Sequence, residues 1–126
     1  MPQVTVCFDV DGVLCNQTAS DYEKAIPNAQ AIAVVNDLYT RGVRIIIHTS
    51  RFMGRTGGDA DEARRLGLDF TRRQLSGWGV RFHELHMGKP SYDIVVDDRA
   101  VFFEPDWARI KAALNRFIPN KGAEGD

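Results

Sequence analysis

The sequence is poor in cysteine, in net charge and in long apolar runs, and each shortage excludes something. Two cysteines among 126 residues, Cys7 and Cys15, cannot build a disulfide framework. They are not spaced as CxxC, and no further Cys or His pair completes a zinc set, so two reduced structural thiols in a reducing compartment are expected. Sixteen Lys and Arg against seventeen Asp and Glu leave a net charge of -1. No global basic field therefore draws the protein onto nucleic acid or an anionic membrane. Apolar runs such as Ile45-Ile46-Ile47 fall far short of the ~20 residues that cross a bilayer. The opening MPQVTV lacks the basic region and apolar core of a signal peptide, so the expected compartment is the cytoplasm. No internal repeat and no low-complexity linker divides the chain.

What is present reads as one globular domain. A 44% hydrophobic content over this length is enough to close a core. The domain is expected over residues 1–118, with PNKGAEGD at 119–126 as a frayed tail. Val4 to Phe8 reads as a buried strand ending at Asp9, and Asn28 as the cap of a helix over 28–41 that Gly42 closes. A second strand runs from Val43 to Thr49. RFMGRTGG at 51–58 reads as a mobile loop, and 60–77 as a helix interrupted by Gly67, with Leu66, Phe70 and Leu75 for packing. Short strands are expected at 80–82, 94–96 and 101–103, and Pro105 as the first residue of a last helix carrying Trp107, Ile110, Leu114 and Phe117 on one face. Strands alternating with helices predict a single Rossmann-like, three-layer α/β domain with a mostly parallel sheet.

In such sheets ligands bind beyond the carboxyl ends of the strands. Asp9 and Asp11 follow the first strand, Thr49, Ser50 and Arg51 the second, Asp97 and Asp98 the strand at 94–96, and Lys89 lies just before it. All are thus expected at one edge. Four carboxylates gathered there require a cation, and oxygen ligands select a hard one such as Mg²⁺. A metal, a lysine and a hydroxyl suit a phosphoryl group. One carboxylate can then act as nucleophile and a second as general acid and base.

FDVDGV at 8–13, IIIHTS at 45–50, Lys89 in GKP and IVVDD at 94–98 resemble, in order, the four motifs of the haloacid dehalogenase-like (HAD) phosphatase superfamily. The resemblance implies Asp9 as the nucleophile and a metal contact, and Asp11 as general acid/base with its carbonyl on the metal. It implies Thr49 as the phosphate-binding hydroxyl, Lys89 as the cation holding phosphate, and Asp98 as a further Mg²⁺ ligand. Asp97 would ligate through water or orient the site, and the division between Asp97 and Asp98 stays open. Neither Cys15–Arg44 nor Phe52–Gly88 has room for an inserted cap, so the chain resembles the capless branch. A looser likeness to small bacterial HAD proteins of capsule and polysaccharide biosynthesis implies a phosphosugar or related metabolite as substrate. An open site also admits a lid supplied by a second subunit of a homo-oligomer.

The remaining candidates divide between substrate contact and structure. Seven Arg against four acids over 51–81 form a local excess, read either as a solvated helix face or as an anion-attracting patch. Arg51 and Arg55 are candidates to grip the substrate, and Asn16 and Gln17 to touch it. His48 should point away from Thr49, because side chains alternate along a strand. Tyr22 and Tyr92 can stack on a ligand or pack. His83 and His86, flanking Glu84, can be read as a metal pair that lacks companions. Rival functions are a polynucleotide-end or phosphoprotein phosphatase, or a non-catalytic binding protein that keeps the fold.

Overall fold

The computed structural model describes residues 3–118. The 119–126 tail lies outside the described residues. Strand β1 (Thr5–Phe8) leads through a 3₁₀ turn at Tyr22–Lys24 to helix α1 (Ala29–Thr40). Asn28 caps α1, its side-chain oxygen accepting the Ala31 N–H at 3.0 Å. Ala31, Ile32, Val34, Val35 and Leu38 form its buried stripe. Gly42, at φ +88°, takes the left-handed turn that ends the helix. The Val43 N–H then reaches the Leu38 carbonyl and the Gly42 N–H reaches that of Tyr39, the Schellman arrangement. The chain emerges from it directly into strand β2 (Arg44–His48).

Helix α2 (Ala60–Gly77) starts on Asp59, which accepts the Glu62 N–H at 3.1 Å. Asp61 and Glu62 add negative charge at its positive end. Its buried stripe is Ala63, Gly67, Thr71 and Leu75, mostly small side chains that let the helix lie close. Leu66, expected in the core, is 44% exposed. Strand β3 (Glu84–His86) comes later than the expected 80–82. Residues 79 and 80 are spent on a second helix-ending turn, in which the Val80 N–H reaches the Leu75 carbonyl. The Arg81 N–H is likewise taken, by the side chain of Asn36.

The three strands pair in the order β1-β2-β3, all parallel. This is the Rossmann-like α/β class that the alternating pattern predicts. The register aligns Val6 with Ile45, Phe8 with Ile47 and Ile47 with Leu85, and this face carries the core. The opposite face carries Thr5 and Cys7, both exposed, so Cys7 is not the buried residue expected. It sits out of phase with Val6 and Phe8. Both cysteines are free thiols.

Neither 94–96 nor 101–103 forms a strand, and residues 91–100 are exposed throughout. Helix α3 (Trp107–Asn115) begins after Asp106, whose carboxylate accepts the N–H groups of Ala108 and Arg109. Pro105 therefore precedes the cap instead of opening the helix. Trp107, Ile110 and Leu114 are buried, and α3 packs on α1, but Phe117 is 71% exposed.

Ile45, wholly buried in β2, should lose about 2–5 kcal/mol of stability on truncation to Ala. Ile46, half-buried on the other face, should lose clearly less. Urea denaturation of the two variants checks the assignment of faces.

Candidate active site

Because β1 and β2 are parallel, Asp9 and Thr49 leave the sheet at the same edge. The Asp9 carboxylate lies 3.6 Å from the Lys89 ammonium. The Lys89 N–H donates to the Thr49 carbonyl at 3.1 Å, and the Thr49 N–H donates to that of His86 at 3.0 Å. Three residues from distant parts of the chain are thus tied together. Burial pulls the Lys89 ammonium down, but the Asp9 charge and a hydrogen bond with Tyr92 outweigh it, leaving its pKa above the ordinary lysine value.

Arg51 is not at the surface, where a residue gripping substrate from a mobile loop would be. It is 1% exposed and forks onto Asp11, with Nε and a terminal nitrogen donating to the two carboxylate oxygens at 2.8 and 2.9 Å. Its other terminal nitrogen donates to Gln74 at 2.6 Å, and its plane lies 4.6 Å over the Tyr22 ring. Gln74 in turn donates to the Tyr22 carbonyl at 2.7 Å. The Thr49 hydroxyl oxygen accepts the Arg51 N–H at 3.1 Å and is buried with it.

The 51–58 segment is pinned. Met53 is buried, and the Thr56 hydroxyl donates to the Phe52 carbonyl at 2.7 Å. Arg55 donates to the Ser20 carbonyl and covers the Phe52 ring. Ser50 contributes its carbonyl, which accepts the Met53 N–H. Phe52 itself holds φ +69°, a strained backbone for a bulky residue. Gly67 makes this possible, since a Cβ there would run into the Phe52 ring. The glycine that looked like an interruption of α2 is the seat of that ring. Gln74 and Gly67 were not legible as site residues; their only signal was polarity and smallness beside the buried stripe of α2.

Asn16 is exposed, and its side-chain oxygen accepts the Ile26 N–H at 2.7 Å. It lines a cleft of about 490 Å³ together with Gln17, Ile26, Asn28, Phe103 and Pro105. Gln17 donates to the Asp11 carbonyl at 3.2 Å, so the cleft abuts the proposed chemistry without including Asp9 or Lys89. Burial, reinforced by Asp11, pushes the Cys15 thiol up to about 12, leaving it neutral and unreactive.

Asp97 and Asp98 are not brought to this edge. Both lie in the exposed 91–100 stretch, with Asp97 accepting the Arg99 N–H at 2.8 Å. Among the described residues no three His, Cys, Asp or Glu side chains are grouped to hold a metal. Two carboxylates remain, one of them committed to Arg51, and this donor set does not by itself fit Mg²⁺.

The histidines are structural. His83 accepts the Ile45 N–H at 2.9 Å and stacks on Tyr39, while His86 contacts Glu84 at 2.9 Å. His48 lies edge-on to His86, and burial, then Lys89 and His86, hold its pKa below the usual histidine value. Arg64, Arg65, Arg72 and Arg73 are exposed, a solvated helix face.

No family model matches the sequence, and no curated protein does. The chain shares its fold with the crystal structure of an MCSG target from Vibrio cholerae. That likeness has 24% identity and a TM-score of 0.73 and covers 89% of this chain and 99% of that one. A chain of the Pnkp1/Rnl/Hen1 complex is similar over 78% of this chain and 31% of its own length, with 20% identity and a TM-score of 0.50.

Arg51→Ala should cost about 3–5 kcal/mol by leaving Asp11 unpaired, and Asp11→Asn on that background should cost much less than alone. A double-mutant cycle of denaturation measures the coupling. His48 adds stability above the ordinary histidine pKa that is lost as pH falls through its lowered folded value. His48→Gln should therefore narrow the gap in melting temperature between pH 8 and about 5.5.

Proposed function

We propose that the protein is a capless HAD-like phosphomonoester hydrolase that works through an aspartyl-phosphate on Asp9 and acts on a phosphorylated sugar or related small metabolite. The observation that carries this reading is the meeting of Asp9, Lys89 and Thr49 at the carboxyl edge of the parallel sheet. The absence of an inserted domain between β1 and β2 or between β2 and β3 supports the capless type. Mg²⁺ belongs to the proposal only with a carboxylate from 97–98 added to Asp9 and Asp11.

The chain's own residues account for the following chemistry. An oxygen of Asp9 attacks phosphorus, and the bond to the leaving oxygen breaks with its electron pair staying on that oxygen. Asp11 protonates it. Water then attacks phosphorus, Asp11 takes its proton, and the bond between phosphorus and Asp9 breaks to restore the carboxylate and free phosphate. Lys89 offsets the negative charge of the transferring group. Both oxygens of Asp11 accept from Arg51, a fork that fixes the orientation of the carboxyl group and still leaves it a lone pair for a proton.

Phosphate release from a panel of sugar phosphates, nucleotides, phosphopeptides and end-phosphorylated oligonucleotides tests the reading. Turnover on phosphosugars should be lost in Asp9→Asn and reduced about 10²–10⁴-fold in Asp11→Asn. Turnover concentrated on oligonucleotides or phosphopeptides would overturn the substrate class and keep the mechanism. No turnover on any of them would favour a binding protein.

A further inference from the structure

The segment between β3 and α3 is hard to reconcile with an isolated chain. Every residue from 91 to 100 is exposed, including the β-branched run Ile94, Val95 and Val96, at 83%, 52% and 98%. Phe102 nearby is 92% exposed. A β-branched run of this kind favours a strand, and its exposure leaves apolar surface in water. Strand β1, meanwhile, pairs only with β2, so its other edge offers unpaired N–H and C=O groups among the described residues.

The chain's own β1 is a poor parallel acceptor. Parallel neighbours need a crossover of a dozen or more residues, but seven residues, 87–93, separate β3 from Ile94. Lys89 is moreover already fixed at the carboxyl edge by Thr49 and Asp9. The five steps from Lys89 to Ile94 then span at most about 18 Å. That path must run ~10 Å back from the level of Asp9 to that of Val6 and cross at least two strand spacings, ~10 Å, which leaves little for the two reversals. The other end of the segment is held by the buried Trp107.

We propose that residues 94–96 pair in parallel with the free edge of β1 in a second copy of this chain, which returns its own segment in exchange. Each copy has one donor segment and one acceptor edge on β1, so a two-fold dimer satisfies both. The exchange places Asp97 and Asp98 of the second copy beside Asp9, at the edge where this chain alone brings only Asp9 and Asp11. It goes beyond the phosphatase reading and does not depend on it.

With Asp97 aligned to Asp9, Val95 stands opposite the exposed Cys7, within the reach of a disulfide between adjacent strands. Light scattering of the unaltered protein should give twice the chain mass. Val95→Cys should form, under mild oxidation, a disulfide-linked dimer on a non-reducing gel that disappears when Cys7→Ser is added. A monomer mass, a disulfide closed within one chain, or a dimer that does not cross-link through these two positions would each overturn the proposal. None of these readouts uses activity, so they stand apart from the outcome of the phosphatase assays.

Discussion

The buried fork of Arg51 on Asp11 organises everything around the edge of the sheet. Removing a guanidinium from water is costly unless its donors are filled, and here they are filled from the turn after β1 and from α2. Asp11 comes from the turn after β1 and Gln74 from α2, while Tyr22 comes from the connection into α1 and lends its ring face. Fixing one side chain thus fixes the relative placement of three segments. The strained backbone at Phe52 and the ring lodged over Gly67 are tolerated because the same network determines where residue 51 must be.

That network has two consequences for chemistry. It orients Asp11 two residues beyond Asp9, so the two carboxylates have different surroundings. Asp9 faces a partly exposed lysine, and Asp11 faces a buried arginine. Different surroundings are what separate a nucleophile from a proton carrier. In the proposed mechanism the network also holds Asp11 in one orientation for proton transfer.

Much of the fold was legible in the chain. Asn28 and Gly42 bracketed α1 because capping and left-handed turns depend on local chemistry, and the placement of Asp9 and Thr49 followed from strand ends alone. Boundaries failed where a residue had two demands on it. Val80 looked like the start of a strand, but its N–H was needed to close α2, so β3 begins four residues later. Cys7 looked buried because its neighbours are apolar, whereas alternation puts it on the bare face. Asp97 and Asp98 follow a run of strand-forming residues, yet a strand also needs a partner within reach.

The sequence by itself determined the α/β class, the caps, and the gathering of Asp9, Thr49 and Lys89 at one edge, because these rest on periodicity, turn chemistry and the polarity of parallel strands. Only the tertiary structure decided that Arg51 would be buried against Asp11, that Gly67 would seat Phe52, and that 94–96 would stand free of its own sheet. Those outcomes depend on which groups distant in the chain meet once the core closes, and on how far a short connection can reach.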